Sequence, residues 1–301
     1  MHDPSDQNDI GSWLLSLRAR FESAGPSLLP LFDVYAAEAI FGRQYISADL
    51  MALPAGAKVL EIGAGSFLLS LQLVREGFSV TAVEPTGGGF SHFYEMRKII
   101  LEEAEARDLR LHVSYVPVEE LDSEECFDFA YSINVMEHVE DVGKALRNVV
   151  RSLVVGGSYR FTCPNYLFPY EPHFNIPTLF SKALTQRVFG RKIFRGQRMA
   201  DPVGTWKSLN WINVIEVRRI LGRQPELSAR FNRFMLVTTL ERIAFDSVFA
   251  ARRSPLIRRF ILQLVRLRAH KLLGVLPVSL QPIIDCSIVK EFDSGGPTWR
   301  R

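Results

Sequence analysis

The sequence has few of the features that mark secreted, cysteine-ligated or membrane-spanning proteins. Its three cysteines, Cys126, Cys163 and Cys286, are too far apart for a metal-binding pattern or a disulfide framework, and we expect no metal site. No run of about 18 apolar residues is present to span a bilayer. The polar N-terminus lacks the basic and apolar regions of a signal peptide. These absences favour a protein of the reducing cytoplasm.

The net charge is also small. It is +3, from 36 basic and 33 acidic residues, and gives no support for nucleic acid as a partner. Apolar residues make up 47% of the 301 residues, so the chain can bury a substantial core. This length allows one large domain or a core domain with a sizeable insertion.

Strand-like and helix-like segments alternate through the first half of the chain. Strands are predicted at Val59–Ile62, Ser79–Val83, Leu111–Tyr115, Phe127–Ile133 and Ser158–Cys163, with helices at Ser66–Arg75, Phe90–Ala106 and Val142–Val154. This alternation predicts an α/β fold with a doubly wound, mostly parallel sheet that is covered on both faces. In such sheets the ligand lies at the carboxyl ends of the strands, near the switch in strand order.

The most informative segment is VLEIGAG, from Val59 to Gly65, which predicts a strand, a glycine turn and the start of a helix. Gly63 permits a backbone angle that a side chain resists, and Gly65 lets the backbone approach a ligand. The helix that follows directs its free N–H groups and positive dipole end at the same place. Glu84 ends the next strand and could accept hydrogen bonds from both hydroxyls of a ribose. The segment therefore predicts a site for an adenosine-type ligand.

Two other interpretations of the motif stay open: a dinucleotide or phosphate site, and a sharp turn with no ligand. The dinucleotide fingerprint has a third glycine three residues after the second, and that position is Leu68 in this chain. Glu61 would repel a phosphate, but it suits the cationic end of an amino-acid ligand. A nicotinamide-dependent oxidoreductase therefore remains only as an alternative.

From about Ala55 to Asn165 the chain resembles the class I S-adenosylmethionine-dependent methyltransferases. The resemblance rests on VLEIGAG at 59, VTAVEP at 80, the segment 117–141 with MEHVED, and LRNVVRSLVVGGSYRFTCPN from 146, in the family's order and spacing. It implies a Rossmann-like fold with a seven-stranded sheet, S-adenosylmethionine as the cofactor and methyl transfer as the activity.

The resemblance also implies which residues hold the cofactor. Glu61, Gly63, Ala64 and Gly65 would line its methionine end, Glu84 would hold the ribose, Val118 and Glu119 would lie against the adenine, and Asn134 would close the pocket near the sulfonium. Two positions depart from the family's pattern. Phe67 stands where a third glycine is usual, which leaves a non-catalytic cofactor-binding protein as an alternative. Pro117 stands where an acid is frequent, so Glu119 would serve the adenine edge.

The implied reaction is displacement at a methyl group on a positively charged sulfur, which needs alignment of donor and acceptor. A hydroxyl acceptor also benefits from a general base. The candidate catalytic residues are His173, in the loop after the fifth strand, and His138, in MEHVED. The alternative is a packing role for His138 and a satisfied turn residue for His173. Acceptor binding is predicted for Tyr170, Glu171, Trp206 and Trp211. We expect O-methylation of a small-molecule, sugar or lipid-linked acceptor.

The resemblance divides the chain into three regions. Residues 1–54 form an N-terminal helical segment, 55–165 the S-adenosylmethionine-binding core, and 166–301 an acceptor-binding region with the last strands. In this last region we expect strand six at Phe231–Leu236, an antiparallel strand seven at Cys286–Glu291, and a helical insertion at about 237–284 between them.

The insertion contains a basic amphipathic segment. Ser254 and Pro255 predict the start of a helix. Its apolar residues are Leu256, Ile257, Phe260, Ile261, Leu264 and Val265, and its cations are Arg258, Arg259, Arg266, Arg268 and Lys271. Such a helix suits a surface of anionic lipids, so peripheral membrane contact through 254–284 is one prediction. Packing on the sheet with snorkelling arginines, or a dimer contact, is the alternative.

Overall fold

A seven-stranded sheet forms the centre of the computed structural model, which describes residues 9–85, 93–179, 181–195, 201–251 and 253–291. The strands are β1 (Lys58–Ile62), β2 (Ser79–Val83), β3 (His112–Ser114), β4 (Phe127–Ile133), β5 (Leu153–Pro164), β6 (Leu227–Phe231) and β7 (Ile283–Lys290). Their order in the sheet is β3-β2-β1-β4-β5-β7-β6. β7 is antiparallel to both of its neighbours, and the first five strands pair in parallel.

Helices cover both faces of the sheet. They are α1 (Ile10–Ala24), α2 (Leu29–Tyr45), α3 (Ser47–Met51), α4 (Leu68–Arg75), α5 (Phe93–Ala106), α6 (Val142–Ser152), α7 (Lys182–Arg195), α8 (Pro202–Ser208), α9 (Val214–Leu221), α10 (Met235–Phe245), α11 (Ser247–Ala251) and α12 (Pro255–Arg266). Short 3₁₀ helices lie at Pro26–Leu28, Val118–Glu120, Ala269–Val275 and Val278–Leu280. The predicted start of α5 at Phe90 falls outside the described residues.

Alternating side chains of the buried strands supply two separate hydrophobic cores. Val59 belongs to the core beneath the N-terminal helices, where Trp13 and Phe21 are buried. Its neighbour Leu60 points to the opposite face and joins the core beneath α6 and α9. This alternation follows from the two-residue period of a strand. A doubly wound α/β fold, as the sequence predicts, is therefore what the chain forms.

The strand order reverses between β1 and β4. From β1 the chain proceeds outward through β2 and β3, and then returns to pair β4 on the other side of β1. Such a reversal leaves a crevice at the carboxyl ends of the two central strands, because their connections leave the sheet in opposite directions. The turn that follows β1 has the end of β2 on one side and the loop that follows β4 on the other, and these three segments are the walls of this crevice.

The prediction for strand six is wrong by several residues. β6 is Leu227–Phe231, which pairs antiparallel with β7, whereas Met235–Phe245 forms α10. The apolar run after Phe231 buries Met235, Val237 and Ile243 on one side of α10, so helical packing decides its structure. Strand seven is antiparallel, as predicted.

The helical segments between β6 and β7 are attached to the rest of the fold by buried polar groups. Arg242 is almost fully buried and pairs with Glu38 of α2 and with Asp246. At the end of β5, the amide of Asn165 donates to the carbonyl oxygen of Gln281 at 2.8 Å. Among the described residues, each helix is too short or too polar to cross a bilayer.

Candidate active site

The turn after β1 requires glycine at two positions. Gly63 and Gly65 have φ angles of 69° and 54°, in the left-handed region. The N–H of Gly63 donates to Val83 O at 2.8 Å, and that of Gly65 donates to Glu84 Oε2 at 2.8 Å. A Cβ on Gly63 would lie 2.3 Å from Cγ2 of Val135, in the loop after β4. The turn is therefore closed against the end of β2 and against the β4 loop.

Phe67 adopts the conformation that a glycine would favour. The N–H of Ala64 also approaches Val83 O, at 3.3 Å, and Ala64 O accepts from Phe67 N. Phe67 itself has a φ of 68°, which costs roughly 1–2 kcal/mol for a residue with a Cβ. Its ring is fully buried and lies 5.1 Å from the guanidinium of Arg97. Phenylalanine in place of the usual glycine therefore keeps the shape of the turn and adds an aromatic contact with Arg97.

Arg97 joins the turn after β1 to the end of β2. Its Nη2 donates to Glu84 Oε1 at 2.6 Å, and its Nε donates to Gly65 O at 2.5 Å. Phe93 lies beside Gly65 and also under this guanidinium, at 5.3 Å. Arg97 is not among the residues that the sequence motifs predict for the site. The sequence feature that could have identified Arg97 is its place beside the buried residues Met96 and Ile100 of α5, where a cation is unexpected.

Two buried carboxylates of the crevice have raised pKa values. Burial raises the pKa of Glu61 to about 7, against a hydrogen bond from the Ser70 hydroxyl. Burial also raises the pKa of Glu84, while the Gly65 N–H and Arg97 act in the opposite direction. Each acid therefore lies in an environment that favours a hydrogen-bond donor or a cation as its neighbour.

The predicted adenine side lies at the 3₁₀ helix Val118–Glu120. Val118 is buried, and the backbone oxygens of Val118 and Glu119 accept from Asn148 Nδ2 at 3.1 and 2.7 Å. Glu119 Oε1 accepts from the backbone N–H groups of Glu140 and Asp141, at 2.6 and 3.3 Å. Glu119 thus helps to fix the start of α6.

Asn134 is the residue that follows β4. It has a φ of 56°, its side chain is exposed, and its backbone N–H donates to Thr162 O at 2.8 Å. The next residue, Val135, is the one that contacts Gly63. The residues after Val135 therefore lie next to the glycine turn.

His138 and His173 come together in the structure, from the loops after β4 and β5. Their rings meet edge to face with centroids 5.3 Å apart. Nδ1 of His138 is 2.7 Å from Ser208 Oγ, and Nδ1 of His173 is 2.6 Å from Glu171 Oε1. Nε2 of each ring lies near Oε1 of Glu137, at 4.0 Å and 3.9 Å. Glu137 is a site residue that the sequence analysis missed, although it directly precedes His138.

The two histidines have opposite pKa shifts. Burial, together with the neighbouring His173 and Lys182, lowers the pKa of His138 to about 3. Burial also opposes a charge on His173, but the hydrogen bond and charge of Glu171 outweigh it and raise that pKa. The pKa values of two imidazoles in contact thus shift in opposite directions, because only His173 has a carboxylate at Nδ1.

Two of the four predicted acceptor contacts are engaged inside the protein. Glu171 is fully buried; its Oε1 holds His173, and its Oε2 accepts from Phe174 N at 2.7 Å. Trp206 is 1% exposed, and its indole N–H donates to Gln186 Oε1 at 2.8 Å. Their polar atoms are therefore engaged within the protein, and acceptor binding by Glu171 and Trp206 stays a prediction.

The other two predicted contacts are more accessible. Trp211 is partly exposed and stacks on Tyr166, with ring centroids 4.4 Å apart. Tyr170 is exposed, and its hydroxyl donates to Asn175 Oδ1 at 2.6 Å. These aromatic side chains lie in the segments that surround His173.

Relatives of this chain include one protein that is similar over nearly its whole length and methyltransferases that are similar over about a third of it. An uncharacterized protein of Mycobacterium tuberculosis strain H37Rv is 48% identical over 281 residues, which are 93% of this chain and 95% of that protein. A ubiquinone biosynthesis O-methyltransferase of Azorhizobium caulinodans is 36% identical over 95 residues, which are 31% of this chain and 34% of that enzyme.

Solved structures share the fold. Phosphoethanolamine N-methyltransferase 2 of Haemonchus contortus, in complex with phosphomonomethylethanolamine and S-adenosylhomocysteine, is 14% identical with a TM-score of 0.50, over 91% of this chain and 60% of that chain. A family model described as a methyltransferase domain matches residues 38–188, which include the glycine turn, Glu84 and His138. The chain therefore belongs to the class I S-adenosylmethionine-dependent methyltransferases, and S-adenosylmethionine is its cofactor.

Proposed function

We propose that the crevice between the glycine turn and Glu84 binds S-adenosylmethionine, and that its methyl group passes to a hydroxyl oxygen of a small-molecule, sugar or lipid-linked acceptor. The observation that carries the proposal is the 2.8 Å hydrogen bond from Gly65 N–H to Glu84 Oε2. It fixes the acid at the end of β2 beside the backbone of the turn. A nucleoside that lies on this turn has its ribose hydroxyls within reach of the carboxylate.

The remaining cofactor contacts follow from this placement. Glu61, Gly63, Ala64 and Gly65 line the methionine end, Val118 and Glu119 the adenine, and Asn134 the sulfonium. Glu61 is the acid that we place against the amino group of the methionine part, because it is a buried carboxyl at the end of β1, beside the glycine turn. Glu119 would contribute through its other oxygen or its backbone, because Oε1 is engaged by Glu140 and Asp141.

Cofactor binding in this arrangement requires Arg97 to release Glu84. The guanidinium spans from Gly65 O to Glu84 Oε1 and so lies in the space where we place the ribose. We infer that Arg97 moves outward when the two ribose hydroxyls take its place. The exchange keeps the carboxylate hydrogen-bonded in both states, which limits its cost in free energy.

The acceptor lies on the other side of the glycine turn, beside His138 and His173. This placement follows from Val135, which contacts Gly63 and is separated from His138 by only two residues. Tyr170 and Trp211 are the accessible aromatic side chains there and are the acceptor contacts that we retain. The local similarity to ubiquinone biosynthesis O-methyltransferases supports a hydroxyl as the atom that receives the methyl group.

A transfer assay with isotopically labelled S-adenosylmethionine tests the proposal. We expect label in a hydroxyl acceptor from a panel of phenols, sugars and polyprenol-linked sugars, and a loss of turnover in His173→Ala. His112→Ala is the matched control, because His112 is exposed on β3, away from the crevice. Cofactor binding without transfer to any acceptor would favour the non-catalytic alternative, and absence of cofactor binding would contradict the whole proposal.

A lipid-linked acceptor is favoured by the surface of α12 and the segments after it. Leu256 and Phe260 on this helix are 78% and 65% exposed, and Leu272 and Val275 beyond it are 72% and 73% exposed. The cations Arg258, Arg259, Arg266, Arg268 and Lys271 are exposed on the same segment. Apolar side chains next to cations fit the interface of an anionic bilayer. We therefore propose peripheral membrane contact through 254–284.

Co-sedimentation with vesicles tests this contact. At low salt we expect the protein to bind phosphatidylglycerol vesicles and not phosphatidylcholine vesicles. Binding should be reduced in Phe260→Glu. Leu15→Glu is the control, since Leu15 is 70% exposed on α1 in a different part of the fold. Equal sedimentation with both lipids, or equal loss in the two variants, would refute the proposed surface.

A further inference from the structure

Three side chains near the glycine turn point metal-binding atoms at one another. One ligand atom from each of Glu137, His138 and His173 lies within 4.8 Å of the other two. The Nε2 atoms of the histidines are 4.0 and 3.9 Å from Glu137 Oε1, which is too long for a hydrogen bond. Ligands that share a tetrahedral ion at about 2.1 Å lie about 3.4 Å apart, so a small contraction would complete such a site.

Glu137 supplies an independent indication of a missing partner. Its side chain is 0% exposed, and among the residues that the structure describes neither of its carboxylate oxygens has a hydrogen-bond partner. Burial of a carboxylate without a partner is costly, and buried charges in proteins are usually paired or coordinate metals. A cation between Glu137 and the two imidazoles would remove this cost.

The hydrogen bonds at Nδ1 fix which nitrogen of each ring can bind a cation. The hydroxyl of Ser208 donates to Thr205 O at 2.9 Å, so Ser208 Oγ must accept from Nδ1–H of His138. This tautomer leaves a lone pair on Nε2 of His138. Glu171 accepts from Nδ1–H of His173 in the same way. Histidines that bind metals are typically held by such a hydrogen bond at their other nitrogen.

The backbone that carries two of these ligands is also fixed. Asn210 Nδ2 donates to the carbonyl oxygens of Met136 and Val139, at 2.7 and 2.9 Å. The N–H of Asn210 donates to Glu137 O at 2.8 Å. The loop after β4 therefore has little freedom to turn Glu137 toward another partner. His138 and His173 are 13% and 22% exposed, which leaves a path to solvent on the imidazole side.

We propose that Glu137, His138 and His173 bind a divalent first-row transition metal, with Zn²⁺ as the ion to test. Two imidazoles and one carboxylate favour Zn²⁺ and its neighbours in the series over Mg²⁺ and Ca²⁺, which prefer oxygen ligands. Three protein ligands leave at least one position open for a further oxygen. The sequence predicts no metal, because the spacing of the three cysteines fits no metal-binding pattern.

The metal site gives the proposed methyl transfer a way to activate its acceptor, and this step rests on the proposed function. A hydroxyl at the open position would release its proton to solvent, since a metal lowers the pKa of a bound oxygen acid. The oxygen then forms the new O–C bond with its lone pair as the C–S bond breaks. The electron pair of the C–S bond remains on sulfur, which becomes neutral.

Metal titration of the full chain tests binding without any methyl transfer. After treatment with EDTA and removal of the chelator, we expect one Co²⁺ or Zn²⁺ per chain, with the visible absorption of Co²⁺ bound to nitrogen ligands. Glu137→Met and His173→Phe should weaken Zn²⁺ by at least about 100-fold. Ser208→Ala, which removes only the partner of His138, should weaken it by about 10- to 100-fold. His112→Ala should bind as the wild type does.

Thermal melting in EDTA shows whether each variant is folded, and Ser208→Ala tests the proposal if a ligand variant does not fold. Equal affinity of the wild type, Ser208→Ala and Glu137→Met for Zn²⁺ would overturn the metal site. Titration of the metal-free chain with S-adenosylmethionine separates this failure from a failure of the proposed function, because the cofactor should bind without metal. Full transfer activity in the metal-free chain would overturn the acceptor role of the metal.

Discussion

The buried carboxylates on the two sides of the crevice differ in their hydrogen bonds. On the cofactor side, Glu84 is held by Gly65 N–H and Arg97, and Glu61 accepts from Ser70. On the acceptor side, among the described residues, Glu137 has no hydrogen-bond partner at either oxygen. The carboxylates on the cofactor side are therefore hydrogen-bonded in the free protein, and Glu84 has to exchange Arg97 for the ribose when the cofactor binds. Within the part of the chain that the structure describes, the carboxylate of Glu137 on the acceptor side lacks a hydrogen bond until a cation or a donor enters.

This contrast has a cause in the chain connectivity. The cofactor side is built from the β1–β2 unit and the helix that follows it, so its partners are close in sequence. The acceptor side joins the loop after β4 to the loop after β5 and to residues at the end of α8. Its groups are brought together only by the complete sheet and the segments packed on it.

The largest expected effect comes from the turn that separates the two sides. Gly63→Ala places a Cβ against Val135 at a positive φ, whereas Gly56→Ala has a φ of 75° and no atom within 4 Å of its Cβ. We expect the second variant to lose about 1–2 kcal/mol of unfolding free energy from backbone strain. Gly63→Ala should lose about 1–3 kcal/mol more than Gly56→Ala, because its Cβ also clashes with Val135. Urea denaturation measures both, and equal losses would contradict the close approach of the β4 loop.

A pH series on Glu61 tests the cofactor side. The folded-state pKa of about 7 lies above the ordinary value of 4.5, so the folded protein holds a proton that the unfolded chain releases. Stability from this group is therefore complete below about pH 4.5 and is lost as the pH rises toward 7. Glu61→Gln cannot release this proton and should not lose stability as the pH rises. The unfolding free energy of the variant relative to the wild type should therefore grow by roughly 2–3 kcal/mol between pH 4.5 and pH 7. A difference that does not change with pH would show that the buried carboxyl titrates normally.

Replacement of the unpaired acid tests the acceptor side. Glu137→Met has a similar volume and carries no charge, and we expect it to raise the unfolding free energy of the metal-free protein by about 1–3 kcal/mol. Urea denaturation in EDTA provides the measurement. Glu171→Met is the comparison, because it removes an acid with hydrogen bonds at both oxygens and should destabilise. Destabilisation by both variants would mean that Glu137 is already paired.

The smallest effect is expected at Arg97. If its guanidinium lies where the ribose binds, Arg97→Ala removes a competitor and should tighten the binding of S-adenosylmethionine by up to about tenfold. Lys98→Ala is the control, since Lys98 is the next cation on α5 and is exposed. Calorimetry measures both dissociation constants. Weaker binding in Arg97→Ala would instead make Arg97 a cofactor contact.

The sequence predicts the backbone of the cofactor side well because its signals are local. The strand bounds of β2 and β4, the turn at Gly63 and the acid at the end of β2 all follow from short motifs. Arg97 is missed because its partner Glu84 lies on another element. Glu137 is missed because its importance depends on His173, 36 residues away in a separate loop, and on the absence of any donor. Such an absence is visible only when the neighbours are in place.

The wrong prediction for strand six has a related cause. The apolar run after Phe231 is compatible with a strand, and the sequence assigns it as one. Pairing of β6 with β7 uses Leu227–Phe231 instead, and the run from Met235 packs as a helix. The long-range partner of a segment, rather than its own pattern, decides its structure here.

The central claim is that Glu84 and the glycine turn bind the nucleoside of S-adenosylmethionine. Calorimetric titration of the wild type, Glu84→Ala and Glu95→Ala tests it most directly, because Glu95 is an exposed acid on neighbouring α5. We expect Glu84→Ala to weaken binding by about 1.5–3 kcal/mol, or about 10- to 150-fold, and Glu95→Ala to leave it unchanged. Equal affinity in all three proteins would contradict the claim.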